Sequence, residues 1–335
     1  MNQGAVWVLV EHEDGREKGV THELLSQGRR WAEGLGVELQ AVVPGHAPEE
    51  MLARMEGHPH AILCLEGPGL SPYSAEGYVA ALHRAVLDRG PTLIAAGATF
   101  TAMDFLPALA ARLGVGMASE VTGLEVTAGG GIRVRRPIHG GRFFVELEPH
   151  GPPPYIVAVR PRAFARAPGA GTARREKLSA AVAQQGARAR IVGRRERPGG
   201  ARDLTEAAVV VSGGRGVRGP EQFSLIEELA RVLGGAVGAS RAVVDGKWRP
   251  AEEQVGKSGR TVSPELYLAV GISGAVHHIM GMDTARVIVA VNNDPKALIF
   301  NHADYGIVDD LFQVIPALVE EIGRQQTGGE SQGAE

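Results

Sequence analysis

The chain has 335 residues, 44% hydrophobic and 22% charged, with a formal net charge of -3: the balance of a soluble globular protein long enough for two cores. That charge speaks against a nucleic-acid binder, and no apolar run approaches the ~20 residues needed to cross a bilayer. Cys64, the single cysteine, lies inside the apolar run Ala61–Leu65; an internal disulfide is excluded and a buried spectator thiol is expected.

The start runs almost directly into the apolar Ala5–Val10, with no basic leader before it, so the expected location is cytoplasmic, with no direct membrane insertion. Runs at Ala5–Val10, Val37–Val43, Ala61–Leu65 and Thr92–Ala96 alternate with helical patterns, which predicts parallel βαβ winding. Leu24, Gly28, Trp31 and Leu35 share one helical face. Further helices are predicted over Ala75–Asp88 and Asp104–Leu113, the latter with Pro107 in its first turn.

From Val121 the pattern changes. Leu124–Val126, Ile132–Val134, Phe143–Leu147 and Tyr155–Val159 read as strands of an antiparallel or mixed end to the sheet. Residues 160–202 hold eleven Arg and one Lys against Glu176 and Glu196, and read as a solvated edge and linker. A strand at Ala207–Val211 then restarts the βα winding, followed by a helix over Pro220–Leu233, strands at Leu266–Val270 and Arg286–Val291, and a closing helix over Val308–Ile322. The polar tail Thr327–Glu335 is expected to be disordered. The expected organisation is therefore α/β in two domains, 1–196 with a basic exit segment and 197–335 with a polar tail.

Four glycine-rich turns crowd into the second domain: Ser212-Gly-Gly-Arg-Gly216, Gly238-Ala-Ser-Arg241, Gln254-Val-Gly-Lys-Ser-Gly259 and Gly271-Ile-Ser-Gly-Ala-Val-His-His278. Glycine lets backbone N–H groups approach a phosphate, and a helix N-terminus adds partial positive charge. One such turn is a weak signal; four suggest a long nucleotide cofactor laid across several strand ends. Asn292-Asn-Asp-Pro295 and Ala303-Asp-Tyr-Gly306 are explained as turns by their composition, yet both fall on the same expected rim of the sheet.

Rival chemistries are weighed on the same residues. Gly214-Arg-Gly216-Val-Arg-Gly219 matches G-x-G-x-x-G after a strand and before a helix, but Ser240 and Arg241 stand where the fingerprint expects an acidic residue, leaving an NADP-dependent dehydrogenase as the alternative. Gly256-Lys-Ser258 is not a P-loop, because Ala251 occupies the first glycine position. The eleven histidines lack ligand spacing for zinc, and no Gly-x-Ser-x-Gly elbow is present.

Taken together, Val210–Gly216, Ala236–Arg241, Gln254–Gly259, Pro264–Ala275 and Ala303–Val308 closely resemble the alpha subunit of electron-transfer flavoprotein. The resemblance is strongest from Asp203 to Ile322. It implies a deoxyhypusine-synthase-like FAD-binding α/β domain, joined to a nucleotide-binding-like N-terminal α/β domain with no nucleotide of its own. It also implies a beta-subunit partner, AMP-binding in the simple carriers, with electrons taken from flavin dehydrogenases and passed to a quinone oxidoreductase.

By the same resemblance, Ser240 serves a phosphate and Arg241 the flavin, and Gln254, Val255, Gly256, Lys257 and Ser258 form a loop at the isoalloxazine edge. Ser273, Gly274, Ala275, Val276, His277 and His278 line the phosphates and the pyrimidine side. Asn292 and Asp310 hold the adenosine end, and Arg215 is a further lining arginine. Ser258 stands where many members carry threonine, which keeps a hydroxyl donor for flavin N5; Lys257 replaces a commonly neutral glutamine.

A flavin exchanging electrons gathers negative charge on its N1/C2 region, so a fixed cation and an imidazole there raise its potential. A unit charge at ~4 Å is worth about 4 kcal/mol at a dielectric of ~20, on the order of 150 mV before screening. Arg241 is the expected lever, and no catalytic acid or base is required.

Overall fold

The computed structural model describes residues 4–13, 15–67, 70–139, 141, 143–180, 191–193 and 203–329. The chain divides into two compact units, Met1–Glu196 and Arg197–Glu335.

In chain order the first unit contains β1 (Ala5–Leu9), the short strands β2 (His12–Glu13) and β3 (Arg16–Glu17), α1 (Gly19–Leu35), β4 (Glu38–Pro44), α2 (Glu49–Met55) and β5 (Ala61–Glu66). It continues through α3 (Ala75–Arg89), β6 (Leu93–Gly97), α4 (Phe100–Leu113), β7 (Met117–Val121), β8 (Gly123–Val126), β9 (Ile132–Ile138), β10 (Phe143–Leu147), β11 (Tyr155–Val159) and β12 (Arg174–Ser179). Seven strands form one parallel sheet in the order β12-β5-β4-β1-β6-β11-β7. Alternation along β1 feeds two cores: Val6 and Val8 pack with Leu24 and Trp31 of α1, whereas Trp7 and Leu9 pack with Leu82 of α3 and Phe105 of α4. Cys64 is buried and free.

Three departures from the sequence pattern have physical causes. Thr99 accepts a hydrogen bond from Ala102 N, so α4 begins at Phe100 and Pro107 sits inside the helix rather than in its first turn. The antiparallel strands do not end the main sheet: β10-β9-β8 form a sheet of their own, and β11 returns to pair in parallel with β6 and β7. Part of the basic segment is an edge strand, β12, whose Arg174, Arg175 and Lys177 meet Glu38 at 3.1 Å, Glu56 at 2.6 Å and Glu66 at 3.0 Å. The rest of the expected linker, 181–190 and 194–202, lies outside the described residues.

The second unit contains β13 (Val209–Gly213), α5 (Phe223–Val232), β14 (Ala236–Ala239), α6 (Arg241–Asp245), β15 (Leu266–Val270), α7 (Val276–Ile279), β16 (Val287–Asn292), β17 (Tyr305–Val308) and α8 (Leu311–Gly329). Its sheet is parallel throughout, in the order β14-β13-β15-β16-β17. Val211, Leu268 and Val270 pack against Phe223, Leu229 and Ile315 on the α5 and α8 face; Val210, Tyr267 and Ala269 pack against Val255, Ile279 and Met282 on the other. Val308 ends a strand instead of opening the closing helix, because Asp310 accepts from Phe312 N and caps α8 there. Of the tail, Thr327–Gly329 continue α8, and 330–335 lie outside the described residues.

Candidate functional site

From β13 the chain winds to one neighbour, β14, and then to the other, β15; this reversal opens a crevice at the carboxyl ends of the strands. A cavity of about 570 Å³ lies there, walled by the segments that follow β13, β14, β15 and β16.

Arg215 belongs to a one-turn 3-10 helix, Arg215–Val217, directly after β13, and lines the cavity. The structure revises the dinucleotide-fingerprint reading of this turn. A Cβ on Gly214 would meet Gly271 O at 2.2 Å and one on Gly216 would meet Gly271 Cα at 2.7 Å, so these glycines serve the packing of two strand-end loops. The helix opens only at Phe223, well past the glycines that the fingerprint requires at its start.

Ser240 and Arg241 follow β14 and both face the cavity. Ser240 N donates to Gly213 O at 3.0 Å, which ties this turn to the β13 end. Arg241 opens α6; its side chain is 64% exposed and its Nε lies 3.3 Å from Asp245 Oδ2. Asp245 also lines the cavity and went unnoticed in the sequence, since an acid one turn after an arginine reads as an ordinary surface pair.

Gln254, Val255, Gly256 and Ser258 form a third wall. Val255 N donates to Ala239 O at 2.9 Å, which docks this loop on β14, and Lys257 N donates to His277 O at 2.7 Å, which docks it on α7. The buried Gln254 donates from Nε2 to Ser258 Oγ at 3.0 Å. With that lone pair engaged, the Ser258 hydroxyl keeps its hydrogen for another acceptor. The Lys257 side chain is exposed and is not part of the wall, so the expected influence of its charge has no contact behind it.

After β15, Ser273, Ala275, His277 and His278 line the cavity, whereas Gly274 and Val276 do not. Gly274 has φ +84 and a Cβ there would fall 2.1 Å from Ile299 N, so its place is a close crossing of two backbones. Val276 is 54% exposed. The two histidines separate: His277 is exposed, while His278 is buried with its Nε2 2.9 Å from the Tyr267 hydroxyl. Burial lowers the His278 pKa to about 4 against a weaker opposing effect of the Val255 backbone, so the imidazole is neutral and carries no full charge.

Asn292 ends β16 at the cavity wall and is occupied on both sides, donating from Nδ2 to Ile272 O at 2.9 Å and accepting from Asp294 N at 3.0 Å. Asp310 lies outside the wall, its carboxylate engaged in capping α8 and 3.9 Å from Arg218. Gly271, Ile272 and Ala297 complete the lining; small or apolar, they carry no chemical signal in the sequence.

The donor set suits a nucleotide with a polar ring: two arginines for anionic groups, hydroxyls and a neutral imidazole for ring heteroatoms, and an apolar floor. The buried Nδ1 of His278 makes no hydrogen bond of acceptable geometry and has the Val255 backbone beside it. Among the described residues no helix is long and apolar enough to cross a membrane, and no cluster of His, Cys, Asp or Glu is placed to hold a metal.

Residues 203–283 match the model of the electron transfer flavoprotein FAD-binding domain, and residues 6–184 match that of the electron transfer flavoprotein domain. The chain is similar to electron transfer flavoprotein subunit alpha of Thermoanaerobacterium thermosaccharolyticum, 39% identical over 320 residues that cover 95% of this chain and 97% of the relative. The counterpart in Mycobacterium tuberculosis is 41% identical and that in Bacillus subtilis 38% identical, covering 95% and 94% of this chain and 98% and 96% of theirs. With both units matched and a carboxyl-rim cavity inside the FAD-binding portion, the chain belongs to the electron transfer flavoprotein alpha-subunit family, whose cofactor is FAD.

Proposed function

We infer that this chain is the FAD-holding half of a heterodimer with an electron-transfer flavoprotein beta subunit, and that the cofactor lies in the second-unit cavity. The observation that carries this reading is the convergence of four separate strand-end segments, after β13, β14, β15 and β16, on one cavity with two arginines and a buried imidazole. The complex takes electrons from flavin dehydrogenases, of which acyl-CoA dehydrogenases are the expected donors, and passes them to a quinone oxidoreductase at the membrane.

Bound FAD supplies the electron-accepting ring; the chain supplies its surroundings. Arg241 brings a permanent positive charge that favours added electrons, and its flexible stem releases Asp245 at small cost, because an exposed i,i+4 pair is worth only about 0.3–0.5 kcal/mol. His278 presents a neutral ring and Ser258 a hydroxyl oriented by Gln254. Arg215 and Ser240 stand at the ends of β13 and β14, where a guanidinium and a hydroxyl would hold a phosphate, and Ser273, Ala275, His277 and Asn292 close the wall. Gly274, Val276 and Asp310 lie outside this wall.

The NADP alternative is disfavoured by the packing of Gly214 and Gly216 on Gly271. Purification of the chain with its partner, followed by a visible spectrum, separates the two. Flavin absorbance bleached by an acyl-CoA dehydrogenase and its substrate supports the carrier; a colourless complex that binds NADP overturns it.

A further inference from the structure

Three polar side chains interrupt the apolar layer beneath the cavity: Ser212 on β13, Tyr267 on β15 and His278 on α7, all buried. Strand alternation places Ser212 and Tyr267 on the sheet face that packs against α7. Tyr267 does not itself line the cavity; His278 does. The Tyr267 hydroxyl lies 2.9 Å from His278 Nε2, and one hydrogen occupies that line.

Two arrangements satisfy the contact. Either the phenol donates to Nε2 and the ring hydrogen sits on Nδ1, or Nε2 donates and the phenol hydrogen turns elsewhere. Ser212 Oγ, the neighbouring polar atom on that face, interacts with the phenol but makes no hydrogen bond of acceptable geometry, so the second arrangement gives the phenol hydrogen only a poor acceptor there. The Val255 backbone beside the ring also favours a hydrogen on imidazole over a bare lone pair. Burial holds the phenol above its ordinary pKa, so it keeps the hydrogen it donates.

The geometry points to Tyr267 as a positioning residue: its hydroxyl donates to His278 Nε2, fixes the Nδ1–H tautomer and thereby holds the neutral imidazole in one orientation at the cavity wall. The tautomer stands on these contacts alone, whereas its effect on a bound flavin rests on the reading above. An imidazole held neutral and in one orientation there adds no second cation beside Arg241.

The test is nitrogen NMR of the full chain in complex with its partner, with isotope-labelled histidine rings and His278 assigned by its loss in His278→Gln. The Nδ1–H form is expected to exceed the other by about tenfold, the worth of one net hydrogen bond, with and without FAD. Tyr267→Phe is expected to abolish that preference and to change the flavin potential of the loaded complex, while Ser212→Ala changes neither. A dominant Nε2–H form in the wild type overturns the proposal, as does an unchanged ratio in Tyr267→Phe. If that variant does not fold, the wild-type ratio decides alone. Failure of the flavin reading shows separately, as a wild-type complex that takes up no FAD.

Discussion

Arg241 Nε lies 3.3 Å from Asp245 Oδ2 across one turn of α6, and both side chains face the same cavity. The cation held to be the main influence on flavin potential therefore carries a carboxylate beside it. Removing that carboxylate frees the full field of the arginine. Asp245→Asn is expected to raise the flavin potential by up to about 40 mV, the worth of a unit charge at ~4 Å in water-like surroundings. A spectroelectrochemical titration reads this directly, and a lowered potential would show that Asp245 acts other than by its charge.

Ser258 should matter to the ring and little to retention of the cofactor. Its oxygen accepts from Gln254 Nε2 at 3.0 Å, so Ser258→Ala removes the free hydroxyl and strands a buried amide. The expected result is an altered flavin potential with FAD still bound, and a stability loss of about 1 kcal/mol in urea unfolding. Ser258→Thr, which restores the hydroxyl, should recover both.

Acid sensitivity should localise to His278. Burial depresses its folded-state pKa from 6.5 to about 4, and the groups at its ring are the uncharged Tyr267 hydroxyl and the Val255 backbone. The unfolded chain then binds the proton first, so stability is complete above the unfolded pKa and falls as pH drops from about 6.5 toward about 4, by roughly 3 kcal/mol at most. Urea unfolding at about pH 7 and about pH 4 should show a smaller loss for His278→Gln than for the wild type. Equal losses would place the imidazole in water.

Gly274 is expected to be intolerant although it does not line the cavity. A side chain there suffers both the positive φ and the backbone of Ile299, for a combined cost of about 2–5 kcal/mol in Gly274→Ala. Weaker FAD retention should follow, because the neighbouring Ser273 and Ala275 line the cavity. A variant with wild-type stability would mean that the 298–301 turn yields freely.

The parallel winding of both units was legible because β1, β5, β6 and β15 are built on apolar runs and β4 ends in one, set among helical patterns. Strand β12 was not, since its Arg-Arg-Glu-Lys sequence becomes a strand only by pairing with β5 and meeting carboxylates there. The short β17 was likewise masked by a Tyr-Gly turn signature. At the site, the glycine turns located the cavity but not the packing duty of each glycine: Gly214 and Gly274 lie where two backbones cross closely, which a sequence pattern does not reveal. Tyr267 was hidden inside an apolar strand, where a tyrosine reads as core.

Redox titration of the FAD-loaded complex, wild type beside Arg241→Ala, bears most directly on the central claim that FAD lies in this cavity with the arginine charge near its ring. A potential lowered by about 40–150 mV, the span between water-like and half-buried surroundings, with weaker FAD retention, is the predicted result. An unchanged potential with FAD held as tightly would contradict it.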